Sequence, residues 1–220
     1  MRVINRVLDW TNQNMWAWPD NDTKLLDVFY QVNDIKEIIK YVPVNKRNVC
    51  IQAGGACGLW PFYYSKLFSK VYTFEPEPTN FACLLENTIS ASNIVAKNIA
   101  LSDSEKLVDI LYEPSKIDNR GSGFLVESRN GIFKTETLDS QNITECNLLQ
   151  LDIEGEELNV LKGAINLITN NKPVICLEVK ILPHMVRDGR NEFEAINWLQ
   201  KTFNYVPVGQ IHRDVILICP

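Results

Sequence analysis

Apolar residues along this chain fall into two alternating rhythms. Val49, Cys50 and Ile51 form a short apolar run that stops at a cluster of small residues. Val71 to Phe74, Ile94 to Leu101, Leu148 to Leu151 and Val174 to Val179 repeat that pattern. Short apolar runs bounded by turn signals predict buried strands. Between them apolar residues recur at helical spacing: Leu67 and Phe68 behind Pro61, then Phe81, Leu84, Leu85 and Ile89. Leu158, Leu161, Ala164, Ile165 and Ile168 continue the series, with Gly163 expected inside that helix for close packing, and Phe193 to Phe203 reads as the last helix. Val206 to Val208 and Val215 to Cys219 read as a closing hairpin across Gly209 to Arg213. Strands alternating with helices predict an α/β fold, a doubly wound, mostly parallel sheet covered on both faces. The hairpin adds one antiparallel strand at or near the far edge.

The first 47 residues read as a helical extension packing on the core, residues 1–47 against a main domain of 48–220. Val3, Ile4, Val7 and Leu8 suggest one helical face, and Met15 to Pro19 an aromatic loop. Asp22 or Thr23 can cap a second helix carrying Leu25, Leu26, Phe29, Val32, Ile35, Ile38 and Ile39. Trp16 and Trp18 either wedge these helices onto the core, the commoner use of aromatics, or stack on a substrate. Leu107 to Leu111 is a further strand. Residues 113–134 then break the rhythm with turn signals, and a connection this long is usually functional or mobile. Thr135 to Leu138 is expected as a short strand before Asp139.

Composition narrows the class. With 220 residues, 45% hydrophobic and 22% charged, the chain suits a globular domain with a full core. The net charge of −5 with no basic tract disfavours a nucleic-acid partner. No apolar run approaches bilayer-spanning length, and Asn5, Arg6 and Asp9 interrupt any signal-peptide core. Six scattered cysteines without a C-x-x-C pair read as buried thiols in a reducing, cytoplasmic setting.

The chemistry concentrates between Asn48 and Glu75. A strand enters Gly54-Gly55-Ala56-Cys57-Gly58, where small residues let a ligand approach the backbone. A second strand ends at Glu75, about 20 residues past the glycines, as an acid placed for ribose hydroxyls is. That β-α-β unit is expected to hold an adenosine-containing molecule. The glycine spacing fails the dinucleotide rule, with Ala56 and Leu59 where the later glycines belong.

The ordered set of motifs resembles the FkbM-type methyltransferases. It comprises Gln52-Ala53-Gly54-Gly55-Ala56-Cys57-Gly58, Phe74-Glu75-Pro76-Glu77-Pro78, Ala100-Leu101-Ser102-Asp103 and Thr137-Leu138-Asp139. Asp152-Ile153-Glu154-Gly155-Glu156-Glu157 and Leu161-Lys162-Gly163-Ala164 complete it. The resemblance covers about residues 48–180. It implies a class I, Rossmann-like methyltransferase that moves a methyl group from S-adenosyl-L-methionine, usually to a hydroxyl oxygen of a small molecule or glycan. It also implies a cofactor set of Gln52, Gly54, Gly55, Ala56, Gly58, Glu75, Pro76, Ala100, Leu101 and Asp152. The family pattern carries an acid where Gln52 stands and departs again at Gly55 and Ala56.

Methyl transfer requires an aligned acceptor and often removal of its proton. Asp152 and Glu178 end two strands expected to be neighbours, with Glu154 a third candidate base and His184 a fourth near the rim. Glu154 and Glu156 equally suit the start of a helix, and His212 reads as surface. Clustered acids raise the question of a divalent metal, but no dedicated ligand spacing is present and none is expected. Two other functions stay open at this point: a non-catalytic binding or scaffold module with a degenerate cofactor loop, and an RNA methyltransferase.

Overall fold

The computed structural model describes residues 4–8, 15–20, 22–116 and 118–220. The chain opens on a β-hairpin, β1 (Ile4–Leu8) antiparallel to β2 (Met15–Pro19), where the spacing predicts a helix and a loop. Ile4, Val7 and Leu8 satisfy helical spacing, but Val7 pairs across the hairpin with Trp16. Trp16, Ala17 and Trp18 are buried there with Phe29, Leu59 and Cys83. Tertiary burial of the aromatic strand outweighs the local pattern. Val3 lies outside the described residues. The helical N-terminal extension is therefore corrected to a hairpin followed by α1 (Leu25–Gln31) and α2 (Ile35–Ile38). Trp16 and Trp18 are wedges, not substrate platforms.

The next units are β3 (Val49–Ala53), α3 (Leu59–Ser65), β4 (Lys70–Phe74), α4 (Pro78–Asn87) and β5 (Ile94–Lys97). A small sheet follows from β6 (Ala100–Leu101), β7 (Leu107–Leu111), β8 (Phe124–Glu127) and β9 (Phe133–Glu136). The chain returns to the main sheet with β10 (Leu148–Leu151), α5 (Glu157–Lys162), α6 (Ile165–Asn171) and β11 (Val174–Glu178). It ends with α7 (Pro183–Arg187), α8 (Glu194–Phe203), β12 (Val206–Ile211) and β13 (Asp214–Ile218).

The main sheet runs β12-β13-β11-β10-β3-β4-β5, parallel from β11 through β5, with β13 antiparallel to both its neighbours. Alternate residues of its strands feed two cores. Ile51, Leu149, Leu151, Ile175 and Leu177 pack with Val160, Leu161, Leu167 and Leu199 on one face. Cys50, Leu148, Cys176 and Ile216 pack with Ile35, Ile38 and Tyr64 on the other. This is the Rossmann-like, doubly wound α/β arrangement that the alternation of strands and helices predicts. The strand order reverses between β3 and β10, so a crevice opens beyond their carboxyl ends.

Two expected elements are split, each for a visible reason. The run from Ile94 to Leu101 divides at Asn98, whose amide donates to the carbonyls of Glu75 and Pro76 at 2.8 and 3.0 Å. That sends the chain from the main sheet into the small one. The helix expected through Gly163 breaks there into α5 and α6. A Cβ on Gly163 would meet the Ser102 carbonyl at 2.2 Å, so the expected close packing is present. Asp139 caps the second piece from a distant turn, accepting from the Asn166 and Leu167 amides at 2.9 Å each. The Thr-Leu-Asp and Leu-Lys-Gly-Ala motifs thus meet in one joint.

Candidate active site

The turn after β3 is set by backbone geometry. Gly54 has φ +86°, and a Cβ there would lie 1.8 Å from the Asp152 carbonyl, so only glycine fits between β3 and β10. Its amide and that of Gly55 donate to the Phe74 carbonyl at 3.1 and 3.0 Å. Ala56 takes φ +41°, and its amide donates to Glu75 Oε2 at 2.8 Å.

Glu75 is the centre of this half of the crevice. Its other oxygen accepts from the Glu77 amide at 2.8 Å. The Asn80 side chain also bears on this carboxylate, and part of its acceptor capacity still remains. Burial pushes the Glu75 pKa up to about 7, against the pull of the Glu77 and Ala56 amides. Glu77 caps α4 by accepting from the Asn80 amide at 2.6 Å, with Pro78 in the first turn. The Asn80 side chain holds the Arg120 carbonyl at 3.1 Å, fastening the 113–134 connection over the crevice. That connection is built of turns and strands.

A cleft of about 580 Å³ opens here. Glu75, Pro76 and Asn80 line one side, Ala100 and Leu101 of β6 another, and Leu125 of β8 with Tyr112, just past β7, a third. A second hollow, a trough of about 990 Å³, adjoins it and shares Gly54, Glu75, Gly121, Asp152 and Glu154. Trp60, Lys116, Glu178, Lys180 and Arg213 complete the trough, with Val28 and Gln31 of α1 at its edge.

Asp152, Glu154 and Glu178 come together in that trough, each offering an oxygen within 4.8 Å of the others. Lys180 bridges two of them, 2.8 Å from Glu154 Oε1 and paired with Glu178. Burial, then the Asp152 charge, hold Glu178 well above the usual carboxylate range despite Lys180. Burial also raises Glu154, opposed by Lys180. For Lys180 burial works downward, and Asp152, Glu154 and Glu178 outweigh it, so its ammonium is held firmly charged. The turn carrying Asp152 and Glu154 is braced by buried Glu157, which accepts from the Ile153 amide at 3.1 Å, and by Arg190, which donates to the Gly155 carbonyl at 2.5 Å.

Of the expected cofactor residues, Gly54, Ala56, Glu75, Pro76, Ala100, Leu101 and Asp152 line the two hollows. Gly55 and Gly58 are buried behind the loop. Gln52 also lies behind it, 1% exposed, its amide donating to the Gly54 carbonyl at 2.9 Å and accepting from Thr73 at 2.7 Å. It braces the loop and does not face the cleft. His184 is not brought to Asp152 and Glu178. It stacks on Phe124 at 4.2 Å and lines a separate recess with Lys106 and Arg187. Burial, aided by Arg190, lowers its pKa, as suits a ring packed neutral in a wall. Asn80 sits two residues past the Phe-Glu-Pro-Glu-Pro motif, in the first turn of α4. Lys180, Lys116, Arg213, Trp60 and Tyr112 lie outside every motif, and only the fold collects them.

The model of the methyltransferase FkbM domain matches residues 58–205. The chain belongs to the FkbM methyltransferase family. It is similar to the hexuronic acid methyltransferase AglP of Haloferax volcanii, 34% identical over 103 residues that cover 44% of this chain and 42% of that protein. The match thus spans less than half of the relative's length. Trm5b of Pyrococcus abyssi shares the fold, with a TM-score of 0.52 at 12% identity over 98% of this chain and 55% of that one. The methyltransferase FkbM of Methylobacillus flagellatus aligns at a TM-score of 0.49 and 16% identity, over 79% of this chain and 43% of that one. All six cysteines of this FkbM-family chain are free, five of them buried, and no helix among the described residues is long and apolar enough to cross a membrane.

Proposed function

We propose that this chain is an S-adenosyl-L-methionine-dependent methyltransferase that methylates a hydroxyl oxygen of an acidic sugar, free or within a glycan. Glu75 carries the reading. It is a buried carboxylate beside an open cleft, held by two backbone amides and with acceptor capacity left for ribose hydroxyls. The apolar slot at Ala100 and Leu101 suits adenine, and the Gly54 turn leaves room for the methionine portion. When bound, the cofactor supplies an electrophilic methyl group.

Asp152 lines both hollows, and in this reading it takes the acceptor's hydroxyl proton. Glu178, hydrogen-bonded to Asp152 and paired with Lys180, orients that carboxylate. Half-buried Lys116 and exposed Arg213 border the trough and suit an acceptor carboxylate, while Trp60 offers an apolar face to a sugar ring. The likeness to a hexuronic acid methyltransferase supports the same acceptor class. Buried free thiols suit a reducing, cytoplasmic compartment.

Calorimetry with S-adenosylhomocysteine tests the reading. Saturable binding is expected for the unaltered protein, with a loss of about a hundredfold or more in Glu75→Ala, which removes two charge-assisted hydrogen bonds. Absence of binding heat at high micromolar ligand would contradict it.

A further inference from the structure

Asp152, Glu154 and Glu178 present three carboxylate oxygens within 4.8 Å of one another. Hard divalent cations gather oxygen ligands at such spacing. Carboxylates this close cannot all ionise without a cation among them. In this chain the cation is Lys180, two residues beyond the Glu178 strand end, bonded to Glu154 Oε1 at 2.8 Å and to Glu178. The Lys180, Glu154 and Glu178 side chains are 12 to 15% exposed, so solvent screens their ion pairs little. Glu154 reaches the ammonium from a left-handed backbone, φ +55°, a conformation costly for a non-glycine residue and held here by its surroundings. Lysine and carboxylates are thus a built unit: the turn is strained to present Glu154, β11 ends on Glu178, and the loop after it brings Lys180 to both.

We propose that Lys180 is the positioning residue of the acceptor trough, its ammonium standing where a divalent cation would otherwise sit among Asp152, Glu154 and Glu178. It fixes Glu154 and Glu178 in place and leaves Asp152 as the carboxylate turned to the acceptor. The part in proton removal rests on the methyl-transfer reading. The exchange of ammonium for metal does not.

Titration with Mn²⁺, followed by calorimetry and electron paramagnetic resonance, tests this on the full chain. Lys180→Met keeps the aliphatic stem and removes the charge. It is expected to bind Mn²⁺ about tenfold or more tightly than the unaltered protein, and Lys180→Met/Glu178→Gln to lose that gain. Lys180→Arg, which restores a cation, is expected to behave as the unaltered protein does. Equal Mn²⁺ affinity in the unaltered protein and Lys180→Met overturns the proposal, as does a gain that survives Glu178→Gln. Should Lys180→Met fail to fold, labelling of Lys180 by an amine-reactive reagent decides. The rate is expected to rise about fivefold or more in Glu154→Gln/Glu178→Gln, because the lost partners free the amine, and an unchanged rate overturns the proposal. S-adenosylhomocysteine binding is measured alongside: a Mn²⁺ response as expected without nucleoside binding rejects the methyl-transfer reading and leaves this one standing.

Discussion

The two halves of the crevice are assembled in different ways. The cofactor half is drawn from contiguous motifs: the Gly54 turn, Phe74 to Asn80, and Ala100-Leu101 each arrive as a short stretch at a strand end. Its polar contacts are largely backbone amides converging on one carboxylate, so local sequence dictates them. The proposed acceptor half takes single side chains from five places: Trp60, Lys116, Asp152, the Glu178 and Lys180 strand end, and Arg213. A shared reagent can be held by a conserved local geometry, whereas an acceptor is read by side chains that only the tertiary fold brings together. Changes at residues that line only one hollow should therefore leave the ligand of the other undisturbed.

The largest break is expected from Asp152→Asn. It should lower methyl transfer by about 10²- to 10⁴-fold, the usual contribution of a general base. S-adenosylhomocysteine affinity should stay within about threefold, since the ribose grip lies at Glu75. Initial rates and calorimetry on one preparation check both. Arg213→Ala should raise the KM for an acidic acceptor about tenfold with kcat little changed, the loss of one exposed charge-assisted contact.

The sequence pattern was sufficient for the main sheet because Val49 to Ile51, Leu148 to Leu151 and Val174 to Leu177 pack on both faces and are apolar but for buried Gln150. It misled at the N-terminus, where Ile4, Val7 and Leu8 fit a helix but pair with a buried aromatic strand. The place of Glu75 at the wall of the cleft was legible from its distance to the glycines. Gln52 was expected at the ligand, because a sequence does not tell which way a strand-end side chain turns. Here it turns inward to Thr73 and the Gly54 carbonyl. Lys180 was hidden because its meaning comes from Glu154, 26 positions earlier and on another strand's turn.

A pH series sharpens the cofactor half. Ribose hydroxyls donate to the ionised form of Glu75, whose pKa in the free protein is about 7. Binding therefore releases a proton below that pH, and affinity for S-adenosylhomocysteine should rise about tenfold from pH 6 to pH 8 and then level off. Glu75→Gln should flatten the rise, as titrations at three pH values would show. The smallest effect belongs to Ala56, held at φ +41°. Ala56→Gly relieves that strain but loosens the unfolded chain, so a net gain of about 0.5–1 kcal/mol in denaturant unfolding is expected, with nucleoside binding retained.

The most direct measurement is a crystal structure grown with S-adenosylhomocysteine. The account predicts both ribose hydroxyls about 2.7 Å from the two Glu75 oxygens, the adenine between Ala100 and Leu125, and the sulfur pointing toward Asp152. A ribose bound away from Glu75, or density confined to another recess, would contradict it.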